Sequence, residues 1–181
     1  MKLMIASDIH GSEYYCEKML SQFQKEAPER LILLGDLLYH GPRNDLPKGY
    51  RPKGVISMLN EVKGRLCCVR GNCDCEVDQM VLEFPILADY LLLYLNGRMV
   101  FATHGHIYNN ETPPALSPGD VLLNGHTHIP SFTRTQAGYY YLNPGSVSLP
   151  KNQSERGYMV YEEGVYSRKS LDGVILDELA L

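Results

Sequence analysis

The stretch LMIASDIHG, residues 3–11, joins a short apolar run directly to Asp8, His10 and Gly11. A run of about four to eight apolar residues bounded by Gly and polar residues reads as a buried strand. Asp8 and His10 therefore fall where a strand opens into a loop. Four more junctions have the same form. LILL (31–34) leads into Gly35-Asp36, and LCCVR (66–70) into Gly71-Asn72. VFA (100–102) leads into Thr103-His104-Gly105-His106, and DVLLN (120–124) into Gly125-His126-Thr127-His128. In open α/β sheets, ligands gather beyond the carboxyl ends of strands. Five strands bringing Asp, His and Asn to one rim describe a metal centre, and they use five of the six histidines in the chain.

Outward from these junctions, the first half alternates strand and helix. Cys16, Met19, Leu20 and Phe23 at i, i+3, i+4, i+7 predict an amphipathic helix over residues 12–25. Val55, Met58, Leu59 and Val62 repeat that spacing after a polar, Pro- and Gly-rich loop from Tyr39 to Lys53, and Arg65 to Val69 is a third strand. Such alternation implies right-handed crossovers and parallel pairing. The second half reads differently. Tyr90 to Leu95 and Arg98 to Ala102 flank Asn96-Gly97, a pair suited to a type I′ hairpin turn. Tyr139–Leu142 and Tyr158–Tyr161 are further short strands, with Glu163-Gly164 as a turn before Val165. The expected architecture is two sheets packed face to face with helices outside, in one domain covering residues 1–181. No Gly-rich dinucleotide loop follows the first strand.

Composition narrows the function. Apolar residues make up 44% of the chain and charged residues 21%, ordinary for a globular protein. The formal net charge of −4 and pI near 5.8 argue against a general grip on nucleic acid or anionic membrane. No stretch approaches the roughly 20 apolar residues of a membrane span, and the N-terminal apolar run is too short for a signal peptide. Five unevenly clustered cysteines fit reduced thiols better than a disulfide framework. The expected setting is soluble and cytoplasmic; the net charge leaves room for a small phosphorylated substrate, because bound divalent cations can dominate the local field. Homo-oligomerisation is compatible with an exposed sheet edge or with the Tyr-rich strand.

The donor set has its own chemistry. Asp-x-His combines a hard oxygen with an imidazole, a mix suited to Mn, Fe, Zn or Co rather than Ca. Asp36 follows a glycine and offers a carboxylate able to bridge two cations, while Asn72 adds a neutral amide oxygen. His126 and His128 can serve different ions if the backbone turns between them. Asp8, His10, Asp36, Asn72, His104, His126 and His128 are too many donors for one ion and suit two. Two cations about 3.5–4 Å apart would bridge a hydroxide and polarise a phosphoryl oxygen for in-line displacement. Spacing alone leaves open whether His104 or His106 is the ligand.

In this order the five motifs resemble those of the calcineurin-like metallophosphoesterases. GPRN (41–44), GNCD (71–74) and NPGS (143–146) bring the resemblance closest to the small bacterial phosphodiesterases of the YfcE type. The resemblance runs from Met1 to about Pro150. It implies a four-layer αββα sandwich of two mixed sheets flanked by helices, and a two-metal site, commonly Mn²⁺ with Fe, Zn, Co or Ni as alternatives. It also implies that Asp8, His10 and His128 hold one ion, that Asn72, His104 and His126 hold the other, and that Asp36 bridges them. His106 is left as a substrate contact.

Many relatives carry His after the Gly-Asn pair, next to an acidic residue, where it contacts phosphate. Here the pair is Cys73-Asp74. A thiol is a weak donor and normally neutral near pH 7, so diesters and activated esters are expected to be favoured over monoesters. Cys73, Asp74 and His106 are the candidate catalytic residues, and His40, Arg43 and Asn44 the candidate substrate contacts. A thiolate site at Cys73-Asp74-Cys75 lacks the spacing of structural zinc ligands. Asn143 to Ser146 is expected to buttress the metal loops. The function expected is a metal-dependent phosphodiesterase. The alternative from another class is a protein-interaction scaffold on this fold, like the retromer subunit that resembles these enzymes with a degraded site. A nuclease is disfavoured because the chain lacks a basic track.

Overall fold

The computed structural model describes residues 1–181. In chain order the elements are β1 (Lys2–Ala6), α1 (Glu13–Glu26), β2 (Arg30–Leu33), α2 (Pro52–Glu61), β3 (Leu66–Cys68) and α3 (Glu76–Gln79). They continue with β4 (Tyr90–Leu95), β5 (Arg98–Thr103), β6 (Val121–Leu123), β7 (Ser131–Arg134), β8 (Tyr140–Asn143), β9 (Gly157–Glu162), β10 (Val165–Ser170) and β11 (Ile175–Ala180). They form a six-stranded sheet, order β11-β10-β9-β1-β2-β3, and a five-stranded sheet, order β4-β5-β6-β8-β7. Both are mixed: β1-β2-β3 and β5-β6-β8 are parallel cores, and the outer pairs are antiparallel.

Strand alternation explains the layering, because successive side chains point to opposite faces. Met4, Ala6, Leu31, Leu33, Leu66, Cys68, Tyr158 and Val160 face α1 and α2, meeting Cys16, Met19, Phe23, Val55 and Leu59. Their strand neighbours Leu3, Ile5, Ile32, Leu34, Val69, Met159 and Tyr161 face the other sheet and meet Val100, Ala102, Val121, Leu123 and Leu142. Strands buried on both sides are near-continuously apolar, which is why the sequence runs lacked a clear period of two. The middle ring of the Tyr139–Tyr141 run packs between the sheets, and its neighbours pack outside, with Phe101 and Leu122.

Helices α1 and α2 cover the outer face of the six-stranded sheet. The outer face of the five-stranded sheet is covered instead by segment 104–120, whose Tyr108 and Leu116 pack on Phe101, Leu122 and Tyr139. The fourth layer is thus a loop layer. β4 is one edge of this sheet, with Tyr90, Leu92 and Tyr94 exposed. Tyr139 is buried, so apolar exposure on this sheet is at β4 rather than at the Tyr-rich strand.

Local signals match their elements. Ser12 caps α1 by accepting from the Tyr15 N–H, and Pro52 opens α2, where a missing N–H has no cost. The Asn96-Gly97 turn has φ of 50° and 75°, and the Glu163-Gly164 turn has 48° and 86°. These are the left-handed pairs a type I′ hairpin requires. β7, α3 and β11 carry no clear sequence signal of their own. No helix is long and apolar enough to cross a membrane.

Candidate metal centre

The parallel strands of both sheets end at the same rim, and the seven expected metal donors meet there. Asp8 and His10 follow β1, Asp36 follows β2, Asn72 follows β3, His104 follows β5, and His126 and His128 follow β6. Five of the seven hold left-handed backbone: Asp8 (φ 61°), His10 (49°), Asp36 (55°), His126 (64°) and His128 (61°). For a non-glycine residue this conformation costs roughly 1–2 kcal/mol, and such strain concentrates at functional sites. It lets residues two apart, such as His126 and His128, both reach one centre.

The donors fall into two sets that share Asp36. In one, His128 Nε2 lies 3.1 Å from Asp8 Oδ1 and 3.1 Å from His10 Nε2. In the other, His104 Nε2 lies 3.1 Å from Asn72 Oδ1 and 3.1 Å from His126 Nδ1. Asp36 Oδ2 stands between them, 3.6 Å from His10 Nε2 and 3.4 Å from His104 Nε2.

Hydrogen bonds behind the donors fix their orientation. The Nδ1–H groups of His10, His104 and His128 donate to the carbonyls of Tyr39 (2.7 Å), Leu34 (2.7 Å) and Leu149 (2.6 Å). In that tautomer each Nε2 presents a lone pair to the centre. The lone pairs of His10 and His128 then face each other at 3.1 Å, an arrangement that repels unless a cation lies between them. Asp8 Oδ1 is buried with no hydrogen-bond partner, whereas Oδ2 accepts from the Ser7 hydroxyl (2.5 Å) and the His126 N–H (3.1 Å). An orphaned carboxylate oxygen among converging lone pairs fits a cation, and the mixed N and O set fits a borderline divalent ion.

Electrostatics agree. Burial opposes charge on Asp8 and Asp36, yet the imidazoles of His10 and His128 on one, and of His104 on the other, hold both carboxyls below the usual range. Burial disfavours charge on His104 as well, but Asp36 and Asp8 raise it to about 9, so a proton at Nε2 competes with a cation for that lone pair. His126 falls to about 4 through burial and the neighbouring charge of His104. The carboxylates thus draw positive charge into the centre.

The supporting frame includes the NPGS segment. Asn143 Nδ2 donates to the Gly125 carbonyl (2.7 Å), and the hydroxyls of Ser146 and Ser148 donate to the Asp8 carbonyl (2.8 and 3.0 Å). These residues buttress the ligand loops.

The other expected site residues divide. Cys73, Arg43 and Asn44 line an open cleft of about 340 Å³ beside His10, Asp36, Asn72 and His126. The Cys73 Sγ lies within 4.8 Å of donor atoms of His10 and Asp36, and burial and the Asp36 charge push its thiol up to about 12. Cys75 is exposed and its thiol donates to Asp78, so the two cysteines form no pair.

Asp74, His40 and His106 do not line the main cleft. Asp74 is not aimed at substrate: it is buried, and its oxygens accept from the backbone N–H groups of Asp36 (2.8 Å), Leu37 (2.9 Å) and Gly71 (2.7 Å). It positions Asp36 and Asn72 instead of joining the chemistry. His40 is absent from the lining of the cleft, its ring packed edge-on against Tyr39 and Tyr50. Its carbonyl accepts from Asn44 Nδ2 (2.8 Å), which steadies the loop. His106 lines a second cleft, which shares His126 and Thr127 with the first. Lys151 also lines the main cleft; a lone Lys in a polar loop carries no local signal.

Comparisons with known proteins bear on this geometry. The family model of the calcineurin-like phosphoesterase superfamily domain matches residues 1–164. Phosphodiesterase YfcE of Escherichia coli strain K12 is 46% identical over 182 residues, spanning 100% of this chain and 98% of that protein. The solved structure of YfcE, described as a phosphoesterase from E. coli, covers 99% of both chains with a TM-score of 0.95. A Vps29 variant from Entamoeba histolytica shares the fold at 16% identity, covering 100% of this chain and 99% of that one with a TM-score of 0.65.

Proposed function

The chain belongs to the calcineurin-like phosphoesterase superfamily, and from that premise we propose that it is a phosphodiesterase acting on a small phosphate ester at a centre of two divalent cations, Mn²⁺ foremost. The observation that carries this reading is the convergence of seven donors in two sets, with facing imidazole lone pairs and an orphaned Asp8 oxygen between them. The 46% identity to a protein named a phosphodiesterase supports the reaction class.

Asp8, His10 and His128 would hold one ion, Asn72, His104 and His126 the other, with Asp36 shared. The ions, when bound, supply Lewis acidity and an ionised water for in-line attack on phosphorus. The chain supplies the rest. Carbonyls of Tyr39, Leu34 and Leu149 hold three imidazoles in the donor tautomer. Arg43 and Lys151 on the cleft wall attract and orient a phosphate anion, and Asn44 offers an uncharged contact. Cys73 presents a neutral thiol where a charged clamp would serve a dianionic monoester better, which supports a diester preference.

Metal-reconstituted protein should hydrolyse bis(p-nitrophenyl) phosphate well and p-nitrophenyl phosphate poorly. Asp36→Asn should lower diester turnover by more than about 100-fold, the scale on which removal of a group acting in the transition state is felt, and should reduce bound metal. Full activity with full metal content in that variant would contradict the assignment. A non-catalytic scaffold on this fold is the weaker reading, because every expected ligand residue is retained.

A further inference from the structure

Two clefts meet at the metal centre, and their walls differ in charge. The main cleft carries Arg43 and Lys151. The second, about 310 Å³, lies beyond His126 and Thr127, which line both. Its wall includes His106, Asn110, Glu111 and Tyr141, and it has no cation.

The second cleft is preformed, and some of its polar groups are uncommitted. Asn109 closes the loop on itself: its Nδ2 donates to the Gly105 carbonyl (3.2 Å), and its Oδ1 accepts from the N–H groups of Glu111 (2.8 Å) and Thr112 (2.9 Å). Next to it, Asn110 Oδ1 accepts from the Tyr139 hydroxyl (3.0 Å), which fixes that side chain and leaves its amide N–H groups free. Glu111 is exposed, and no cation lies within ion-pair distance of its carboxylate. His106 Nδ1 is buried without a partner, in a ring whose centroid is 5.4 Å from that of His104 and 6.3 Å from that of His126.

We propose that this second cleft is a subsite for one arm of a phosphodiester, and that the arm it takes is uncharged and hydroxyl-bearing, such as a sugar or the ribose of a nucleoside. The inference rests on the phosphodiesterase reading above. A diester has two arms on one phosphorus, and the shared wall at His126 and Thr127 lets them part to either side of the centre. An anionic arm meets repulsion from Glu111. An apolar arm strips water from Glu111 and Asn110 without replacing its hydrogen bonds, a net cost. A hydroxylated arm satisfies both Glu111 and Asn110, donating to the carboxylate and accepting from the amide.

The test compares two substrates that share a leaving group and differ in the other arm: thymidine 5′-(p-nitrophenyl phosphate) and bis(p-nitrophenyl) phosphate. Kinetics are measured on the full-length, Mn²⁺-loaded protein and on its Asn110→Ala and Glu111→Ala variants, which alter exposed loop side chains. Each variant should raise KM for the nucleoside ester about tenfold, the weight of one hydrogen bond to a charged or well-placed group. Neither should move kcat or KM for the bis-aryl ester by more than about twofold. Equal changes on both substrates, or none on either, overturn the subsite and leave the phosphodiesterase reading standing. If the wild-type protein hydrolyses neither ester, the phosphodiesterase reading fails and the subsite fails with it.

Discussion

Asp74 fixes the loops that carry the candidate metal donors without touching a donor side chain. Its two oxygens hold the backbone N–H groups of Asp36, Leu37 and Gly71, and so pin the turn after β2 against the turn after β3. Asp74→Ala leaves three buried donors unpaired. At about 1 kcal/mol or more each, the variant should lose roughly 3 kcal/mol, read as a lower urea midpoint at unchanged slope. It should also bind metal more weakly, since Asp36 is no longer held. An unchanged midpoint would show that water replaces the carboxylate. This role was not legible in the sequence. Adjacency to Asn72 and Cys73 marked Asp74 as part of the site, but direction depends on a turn whose partners lie 37 and 38 residues earlier. The ligand types were legible because each stands at the end of an apolar run. The left-handed backbone at Asp8, His10, Asp36, His126 and His128 was not, since none of these is glycine. His40 misled for a related reason: proximity to Asp36 in sequence said nothing about Tyr39 and Tyr50 claiming its ring.

At the scale of elements, what could be read was what local chemistry determines. The hairpin of β4 and β5 was legible because Asn-Gly between two apolar runs specifies its own turn. Gly97 has φ of 75°, and a side chain there would meet open space, so its substitution isolates conformational cost from packing. Gly97→Ala should destabilise by about 1 kcal/mol, with metal content and diester turnover as in the wild type. A loss well beyond 2 kcal/mol would mean the turn packs against something the open space excludes. β7 (SFTR) and β11 (ILDELA) were not legible: both are edge strands with several exposed positions. Their pairing comes from β8 and β10, not from a pattern of their own. The outer layer of the five-stranded sheet escaped for the opposite reason. Segment 104–120 has few periodic apolar residues, yet Tyr108 and Leu116 are enough to cover Phe101, Leu122 and Tyr139.

The whole molecule rests on two cores, one between the sheets and one under the helices, and α1 joins only the six-stranded sheet. The last residue of α1, Glu26, ties that helix to three strands. Its carboxylate takes Lys2 Nζ of β1 at 2.9 Å, Lys169 Nζ of β10 at 2.6 Å and the Tyr158 hydroxyl of β9 at 3.0 Å. Burial raises the Glu26 carboxyl, but the bonds from Lys169, Lys2 and Tyr158 outweigh it and hold it below its ordinary value of 4.5. The unfolded chain therefore takes up a proton at higher pH than the folded one. Stability from this tie is complete above pH 4.5 and is lost as pH falls through the lowered folded value. Glu26→Gln keeps the shape and removes the charge, and should cost about 1 kcal/mol near neutral pH, the range for a solvent-screened pair. Urea melts of wild type and variant at pH 7 and pH 3 should show a gap at the first pH that narrows at the second. A gap of equal size at both would assign the tie to packing instead of charge. Because Glu26 lies at the end of α1 away from the ligand loops at its start, diester turnover at pH 7 should be the same in both proteins.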